Sequence, residues 1–247
     1  MNLKHVIRTA VFAALIPVGI VMAGTNYTIG VENINYYPQY AYENNEYKGY
    51  ARELFDLFAK SKGYTFEYKA LPIKRLFSEF LTGDVDFKYP DNPYWSADDK
   101  KGKNVVYSAD VAEYIDGVMV KSSNKGKGLA TLKTMGIVMG FTAWDYLDKI
   151  KSGVIKLQEN SDFTALIKQT LIDRNDGAYC NIDVGNHILA EVVRKNGELV
   201  FDPALPHSKD HYKLSSIKHN KVIDEFNDFL KSNKAAIDNL KKKYNIK

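Results

Sequence analysis

Cysteine is almost missing from this chain of 247 residues: Cys180 stands alone, so no intramolecular disulfide can form and packing must hold the fold. The signatures of metal, nucleophilic and nucleotide chemistry are missing as well. No HExxH, GxSxG, CxxC or phosphate-loop pattern occurs, and Gly126-Lys127-Gly128 reads as a surface turn. His207 and His211 have a spacing that suits a metal on a helix, but Pro206 and the strand pattern that follows argue against one, so neither metal nor cofactor is expected. Cys180 has no histidine placed by the sequence to activate it, and a cysteine in a buried strand is ordinarily inert. A dominant charge is missing too. The net charge is +4, and the lysines at 100–103 and 241–243 are too local for the sustained basic face that nucleic acid requires; they read as solvated surface.

The apolar run over residues 10–22 is too short to span a membrane comfortably. Lys4 and Arg8 precede it and Val21-Met22-Ala23 closes it with a small-x-Ala site, the three parts of a secretory signal peptide cut before Gly24. No cysteine follows the cut to carry a lipid, so an exported, unanchored chain of residues 24–247 is expected, in the periplasm of a bacterium. That length can bury a proper core, as one large domain or two small ones.

Aromatic residues are abundant. The 17 tyrosines, 12 phenylalanines and 2 tryptophans exceed what a core of this size needs to bury. Tyrosine offers an apolar ring with a polar tip, which suits the wall of a half-wet cleft.

Residues 27–32 read as a strand, followed by a tyrosine-rich turn, NINYYPQYAY. A helix over 50–62 has Leu54, Phe55, Leu57 and Phe58 on one stripe and stops at Gly63; residues 64–70 alternate as a strand. Pro72 sits in the first turn of a second helix, whose apolar face is Ile73, Leu76, Phe77 and Phe80 and whose stop is Gly83. The stretch DVDFKYPDNPYW, 84–95, is then a third strand. It empties into Pro90, Asp91, Asn92, Pro93, Tyr94 and Trp95, at the carboxyl end of the sheet, where open α/β sheets bind ligands. This alternation predicts a parallel sheet with right-handed crossovers.

Two strand-like runs occupy 105–121, and SSNKGKG after them reads as a surface turn. The pattern then restarts, with a strand at 136–139 and with Gly140-Phe141-Thr142 leading into a helix where Thr142 and Asp145 approximate a capping box. Strands at 154–157, 177–182 and 199–201 and helices over 161–173 and 184–195 follow. Residues 202–208 read as a linker, 211–217 as a strand, and the tail from 220 as two amphipathic helices that need a partner face. The economical arrangement is an α/β fold of two lobes, 24–118 with 206–247 and 119–205, joined near 114–121 and 201–214.

The order of Tyr37-Pro38-Gln39-Tyr40, Lys48-Gly49-Tyr50, Gly83-Asp84-Val85-Asp86, Val106-Tyr107-Ser108, Gly140-Phe141-Thr142, Asp176-Gly177-Ala178 and a closing helix over 240–246 carries a resemblance. It is similar to the bacterial extracellular solute-binding family 3, periplasmic proteins that serve polar amino-acid ABC transporters. The resemblance runs over nearly all of 24–247 and implies the two-lobed periplasmic binding protein (Venus-flytrap) fold, with two hinge strands, closing on a small ligand. It implies that Glu32 and Tyr37 stand at the end of the first strand, with Tyr37 stacking on the ligand, and that Ile73 faces the cleft from a helix start. Tyr89, Asp91 and Asn92 would replace the small polar loop that holds an amino group. Gly140, Phe141 and Thr142 would present backbone N–H groups to an anion. Trp95 joins Tyr89 as a candidate ring contact.

Two positions depart from the amino-acid-binding pattern. Where such proteins carry an arginine that forks onto the α-carboxylate, this chain offers Lys101, a point charge. Where they place an aspartate against the α-ammonium, it reads Asn181, with Asp183 two residues on. Arg75 is the alternative anion contact, and Asp91 or Glu32 the alternative cation contact. The expected activity is binding of a small polar, amino-acid-like solute by a monomer that then engages an inner-membrane ABC permease or a membrane sensor. A dehydratase-like enzyme on the same fold is a further reading, with Glu32 or Asp91 as its acid-base group.

Overall fold

The computed structural model describes residues 24–246; the signal-peptide reading of 1–23 lies outside them. The described residues open with β1 (Asn26–Glu32), whose last four residues are buried. It then folds a small antiparallel ribbon, β2 (Asn35–Tyr36), β3 (Tyr40–Glu43) and β4 (Glu46–Lys48), where the sequence suggests only a turn. Asn44 and Asn45 make the hairpin possible. Both take the left-handed backbone, φ 52° and 60°, that a two-residue connection between twisted strands needs.

α1 (Tyr50–Lys62) buries Tyr50, Leu54, Phe55 and Phe58 and ends at Gly63 with φ 69°. Each of those large apolar side chains contributes about 1.5–3 kcal/mol by leaving water. β5 (Thr65–Leu71), α2 (Ile73–Thr82) and β6 (Phe87–Asp91) complete the first two crossovers. Pro72 stands just outside α2 as its cap, one place earlier than the first-turn position expected. β7 (Val106–Tyr107) is a short edge piece.

β8 (Ala112–Lys121) carries the chain into a second half. There β9 (Thr134–Val138), α3 (Leu147–Lys151), β10 (Lys156–Asn160), α4 (Phe163–Leu171), β11 (Gly177–Asn181), α5 (Ile182–His187) and β12 (Leu199–Phe201) follow. Thr142 does not cap a helix, a departure from the expected capping box. A tight 3-10 turn at Trp144–Tyr146 precedes α3, and the Asp145 carboxylate instead accepts from Ser208 Oγ at 2.5 Å. The helix expected over 184–195 begins earlier and ends sooner, because Asn181 caps it, accepting from the backbone N–H of Asp183 and Val184, and a wide π-type turn at Ile188–Val192 ends it.

The chain returns along β13 (Ser208–Ser216) and closes with α6 (Asn220–Ser232) and α7 (Lys234–Tyr244). Phe226 and Phe229 of α6 pack on Phe58 at 5.0 and 5.4 Å, and Tyr244 donates to Glu53 at 2.6 Å, so the tail finds its partner face on α1.

One continuous sheet path runs β10-β9-β11-β8-β13-β6-β1-β5. β5, β1 and β6 are parallel, as are β10, β9 and β11, while β8 runs antiparallel to β11 and β13. β13 changes partners along its length. Ser208–Tyr212 pairs with β8, and from Lys213 onward the strand pairs with β6 and β7, with a break in register between Lys213 and Ser215. The fold is therefore two α/β lobes joined by the adjacent strands β8 and β13.

Candidate functional site

A cavity of about 520 Å³ lies where the two lobes meet. The first lobe supplies Glu32 from the carboxyl end of β1, Tyr36 and Tyr40 from the ribbon, and Ile73, Lys74 and Phe77 from the start of α2. The loop after β6 adds Trp95, Ser96 and Asp99. The joining strands contribute Tyr114 and Asp116 from β8 and Ser208 and Tyr212 from β13, and the second lobe adds Gly140, Phe141, Thr142, Trp144 and Tyr179. All three sources meet at one space because parallel strands end there and both joining strands cross beneath it.

Aromatic rings form most of the wall. The Tyr36 ring is held between Tyr40 of its own ribbon, at 5.1 Å and 25°, and Phe141 of the other lobe, at 5.9 Å and 10°, with Phe163 edge-on at 5.1 Å. Tyr114 and Tyr212 stack at 4.6 Å, and Trp95 leans on both, at 5.9 and 6.0 Å. The phenols form a chain of hydrogen bonds. Asn181 Nδ2 donates to Tyr212 Oη at 3.3 Å, Tyr212 Oη to Tyr36 Oη at 3.4 Å, and Tyr36 Oη to Asp116 Oδ1 at 3.5 Å.

Two carboxyl groups stand in this aromatic wall. Glu32 is 5% exposed and accepts from Tyr40 Oη at 2.6 Å; burial raises its pKa, opposed by the Lys88 charge and the Tyr40 hydrogen bond. Asp116, partly open to the cavity, is pushed up to about 7 by burial. Hydrogen bonds from Asn181 and Tyr36 oppose that shift, and the charges of Glu32 and Asp145 add to it.

The loop that carries Trp95, Ser96 and Asp99 is pinned from below. Asp91 Oδ1 lies 2.8 Å from Lys100 Nζ and 3.4 Å from Lys88 Nζ, and Asp91 Oδ2 accepts from Ser215 Oγ at 2.6 Å. Lys88 is fully buried, donates to the Pro90 carbonyl and sits 3.9 Å from the Phe77 ring centroid. Asn92 Nδ2 ties the loop to β13 through Asp210 and the His211 carbonyl, at 2.9 and 3.2 Å.

Of the residues singled out in the sequence, Glu32, Ile73, Trp95, Gly140, Phe141 and Thr142 are brought together at the cavity. Tyr89 and Asp91 are buried beneath it, with Asn92 on the loop behind. Tyr37 turns away from it. Successive side chains on an extended segment alternate, so Tyr36 takes the cavity side while the Tyr37 ring packs on His187 and Tyr244 at 4.7 and 5.8 Å. Arg75 is on the exposed side of α2, paired with Glu79 at 2.7 Å, and Lys101 is exposed and paired with Asp98 at 2.7 Å. Asn181 caps α5, and Asp183 accepts from Gln39 Nε2 of the first lobe at 3.4 Å, beside Tyr37 and outside the cavity.

Asp116, Tyr36, Tyr114, Trp144 and Tyr212 are among the cavity residues that sequence reasoning passed over. For Asp116 a signal was present. In EYIDGVMVK, Tyr114 and Asp116 fall two apart on one face of a strand, and an acid inside such an apolar run calls for a reason.

Among solved structures, the chain is similar to an ancestral arginine-binding protein bound to arginine, with a TM-score of 0.70, 17% identity, and coverage of 90% of this chain and 99% of that one. It is similar to a histidine kinase sensor domain that resembles periplasmic binding proteins, with a TM-score of 0.69, 15% identity, and coverage of 90% and 96%. It is also similar to the second substrate-binding domain of Lactococcus lactis GlnP in an open conformation, with a TM-score of 0.62, 17% identity, and coverage of 89% and 94%. At these identities the likeness is one of fold. No match to the chain was found among curated proteins. The family model of the bacterial extracellular solute-binding proteins, family 3, matches residues 27–247, and the chain belongs to that family.

Proposed function

We propose that this protein binds a small polar solute between its lobes and that the closed, loaded form is what a membrane partner reads. The observation that carries the proposal is the composition of the cavity wall: both lobes and both joining strands contribute side chains, so one occupant contacts all of them and favours the closed arrangement. Delivery to an ABC permease is the role we assign. Presentation to a membrane sensor uses the same closure, and the fold likeness to a sensor domain keeps it as the second reading. We read residues 1–23 as an export signal to the periplasm, and the lobes as 24–118 with 206–247 and 119–205. We also read the chain as a binder and not an enzyme, so the ligand should be recovered unchanged.

A thermal-shift screen of amino acids, amines and organic acids tests this reading. A solute at 100 times its dissociation constant adds about 2.7 kcal/mol to stability. If no solute raises the midpoint, the reading fails; if the solute is recovered as a new product, the cleft carboxyls act in catalysis and the protein is an enzyme.

A further inference from the structure

We infer that the solute is an organic cation with an apolar or aromatic body and no carboxylate, its ammonium held between Glu32 and Asp116 against the ring faces of Tyr36, Trp95 and Tyr212. This rests on the solute-binding reading above and narrows it.

The cavity is built for positive charge and not for a zwitterion. Glu32 and Asp116 both line it, and the groups that hydrogen-bond them are neutral, Tyr40 Oη to Glu32 at 2.6 Å, and Tyr36 Oη at 3.5 Å with the Asn181 amide to Asp116. Lys88, whose charge reaches Glu32, is engaged by Asp91 and the Pro90 carbonyl behind the Phe77 ring. The cleft therefore presents carboxylates that lack a cation in contact among the described residues. Carboxyl groups in such a site are ordinarily paired when ionised, and here a ligand can supply the pair.

The rings point the same way. Tyrosine and tryptophan faces attract cations, and desolvation within a cleft strengthens the attraction. A ligand carboxylate, by contrast, would meet Glu32, Asp116 and the rim residue Asp99, with no guanidinium among the described residues that line the cavity. Among the described residues that line the cavity, the one lysine is Lys74, on the exposed first turn of α2. Arg75 beside it is turned outward onto Glu79.

The electrostatics around Asp116 agree. Facing it are Tyr36 from the ribbon, Tyr114 from its own strand β8, Tyr212 from β13, and Asn181, Tyr179 and Cys180 from β11, all neutral at pH 7, while Glu32 and Asp145 add negative charge. A bound ammonium would reverse that balance and draw a proton off the carboxyl, so binding of a cation near pH 6 should release up to about one proton.

The test is calorimetry on matched pairs that differ by a carboxylate: tyramine and tyrosine, agmatine and arginine, cadaverine and lysine, choline and glycine betaine. The inference expects an amine in at least one pair to bind about tenfold or more tighter than its carboxylated partner, with proton release at pH 6. Carboxylated members binding tighter than their amines overturns it. If only uncharged or acidic solutes bind, this inference fails while the solute-binding reading stands; if nothing binds, both fail. Asp116→Asn and Glu32→Gln should each weaken the amine about tenfold while the variants still unfold in one cooperative transition, and amine affinity unchanged in both variants also overturns the inference.

Discussion

Tyr36 and Asp116 come from different parts of the chain, the ribbon after β1 and the joining strand β8, and meet with the phenol oxygen 3.5 Å from the carboxyl Oδ1. The same tyrosine ring touches Phe141 of the second lobe. Lobe contact, joining strand and cavity carboxyl thus share one side chain, and a change at any of the three should be felt at the other two.

The pH dependence of stability follows from the carboxyl. The folded chain holds the Asp116 proton up to about pH 7, whereas an unfolded chain releases it near 3.8. Between those values the folded state binds more protons, so this group's contribution falls as pH rises from about 4 to about 7, by a few kcal/mol at most. Glu32, raised in the same direction, adds to the slope. Asp86, lowered by Lys218, Thr28 and His219 against the cost of burial, contributes above 3.8 and loses that contribution only as pH falls through its folded value. His187, lowered by burial, works against Asp116 just below pH 6.5. The difference between wild type and Asp116→Asn isolates the effect: the variant's midpoint should fall less between pH 5 and pH 8. Parallel curves would contradict the assignment.

Asp91 is predicted to matter for folding more than for ligand contact. It neutralises two lysines, one of them fully buried, and holds Ser215. Asp91→Ala leaves Lys88 buried without its carboxylate and should cost about 3–5 kcal/mol in denaturant unfolding. Lys100→Met, which leaves the Asp91–Lys88 contact in place, should cost clearly less. Equal losses in the two variants would show that the network is not centred on Asp91.

Phe141→Ala removes the second-lobe face of the Tyr36 sandwich. An aromatic pair is worth about 0.5–1.5 kcal/mol beyond burial, so solute affinity should drop by about twofold to tenfold while the first-lobe core is untouched. Calorimetry reads the change directly. Unaltered affinity would mean that the lobes do not close through this contact.

The parts of the fold governed by short-range rules were legible in the sequence. α1 follows from its apolar spacing and the left-handed stop at Gly63, and a polar loop follows β6, although Pro90 and Asp91, read from the sequence as part of that loop, belong to the strand. The ribbon was not legible because its cue, Asn44-Asn45, lies inside a tyrosine-rich segment without clean alternation. The candidate site was legible only where backbone position decides it, at the end of β1, the start of α2 and the loops after β6 and β9. Which face each side chain takes depends on register across distant strands. One residue of offset sends Tyr36 to the cavity and Tyr37 to His187, and partner choice alone decides that Asp91 answers buried lysines and not a ligand. Asp116 escaped notice because its neighbours, Tyr212 and Tyr36, lie far from it in the chain.

The chain has two tryptophans, and both line the cavity, Trp95 from the first lobe and Trp144, 56% exposed, from the second. Tryptophan emission, excited where tyrosine does not absorb, therefore reports on the cleft, and titrating the tightest binder of the solute screen is the most direct test that the solute sits between the lobes. The account predicts a saturable change in emission at the calorimetric dissociation constant, with a blue shift as Trp144 is covered, and loss of that shift in Trp144→Phe. Saturable binding heat with emission unchanged in wild type would place the ligand elsewhere and contradict the account.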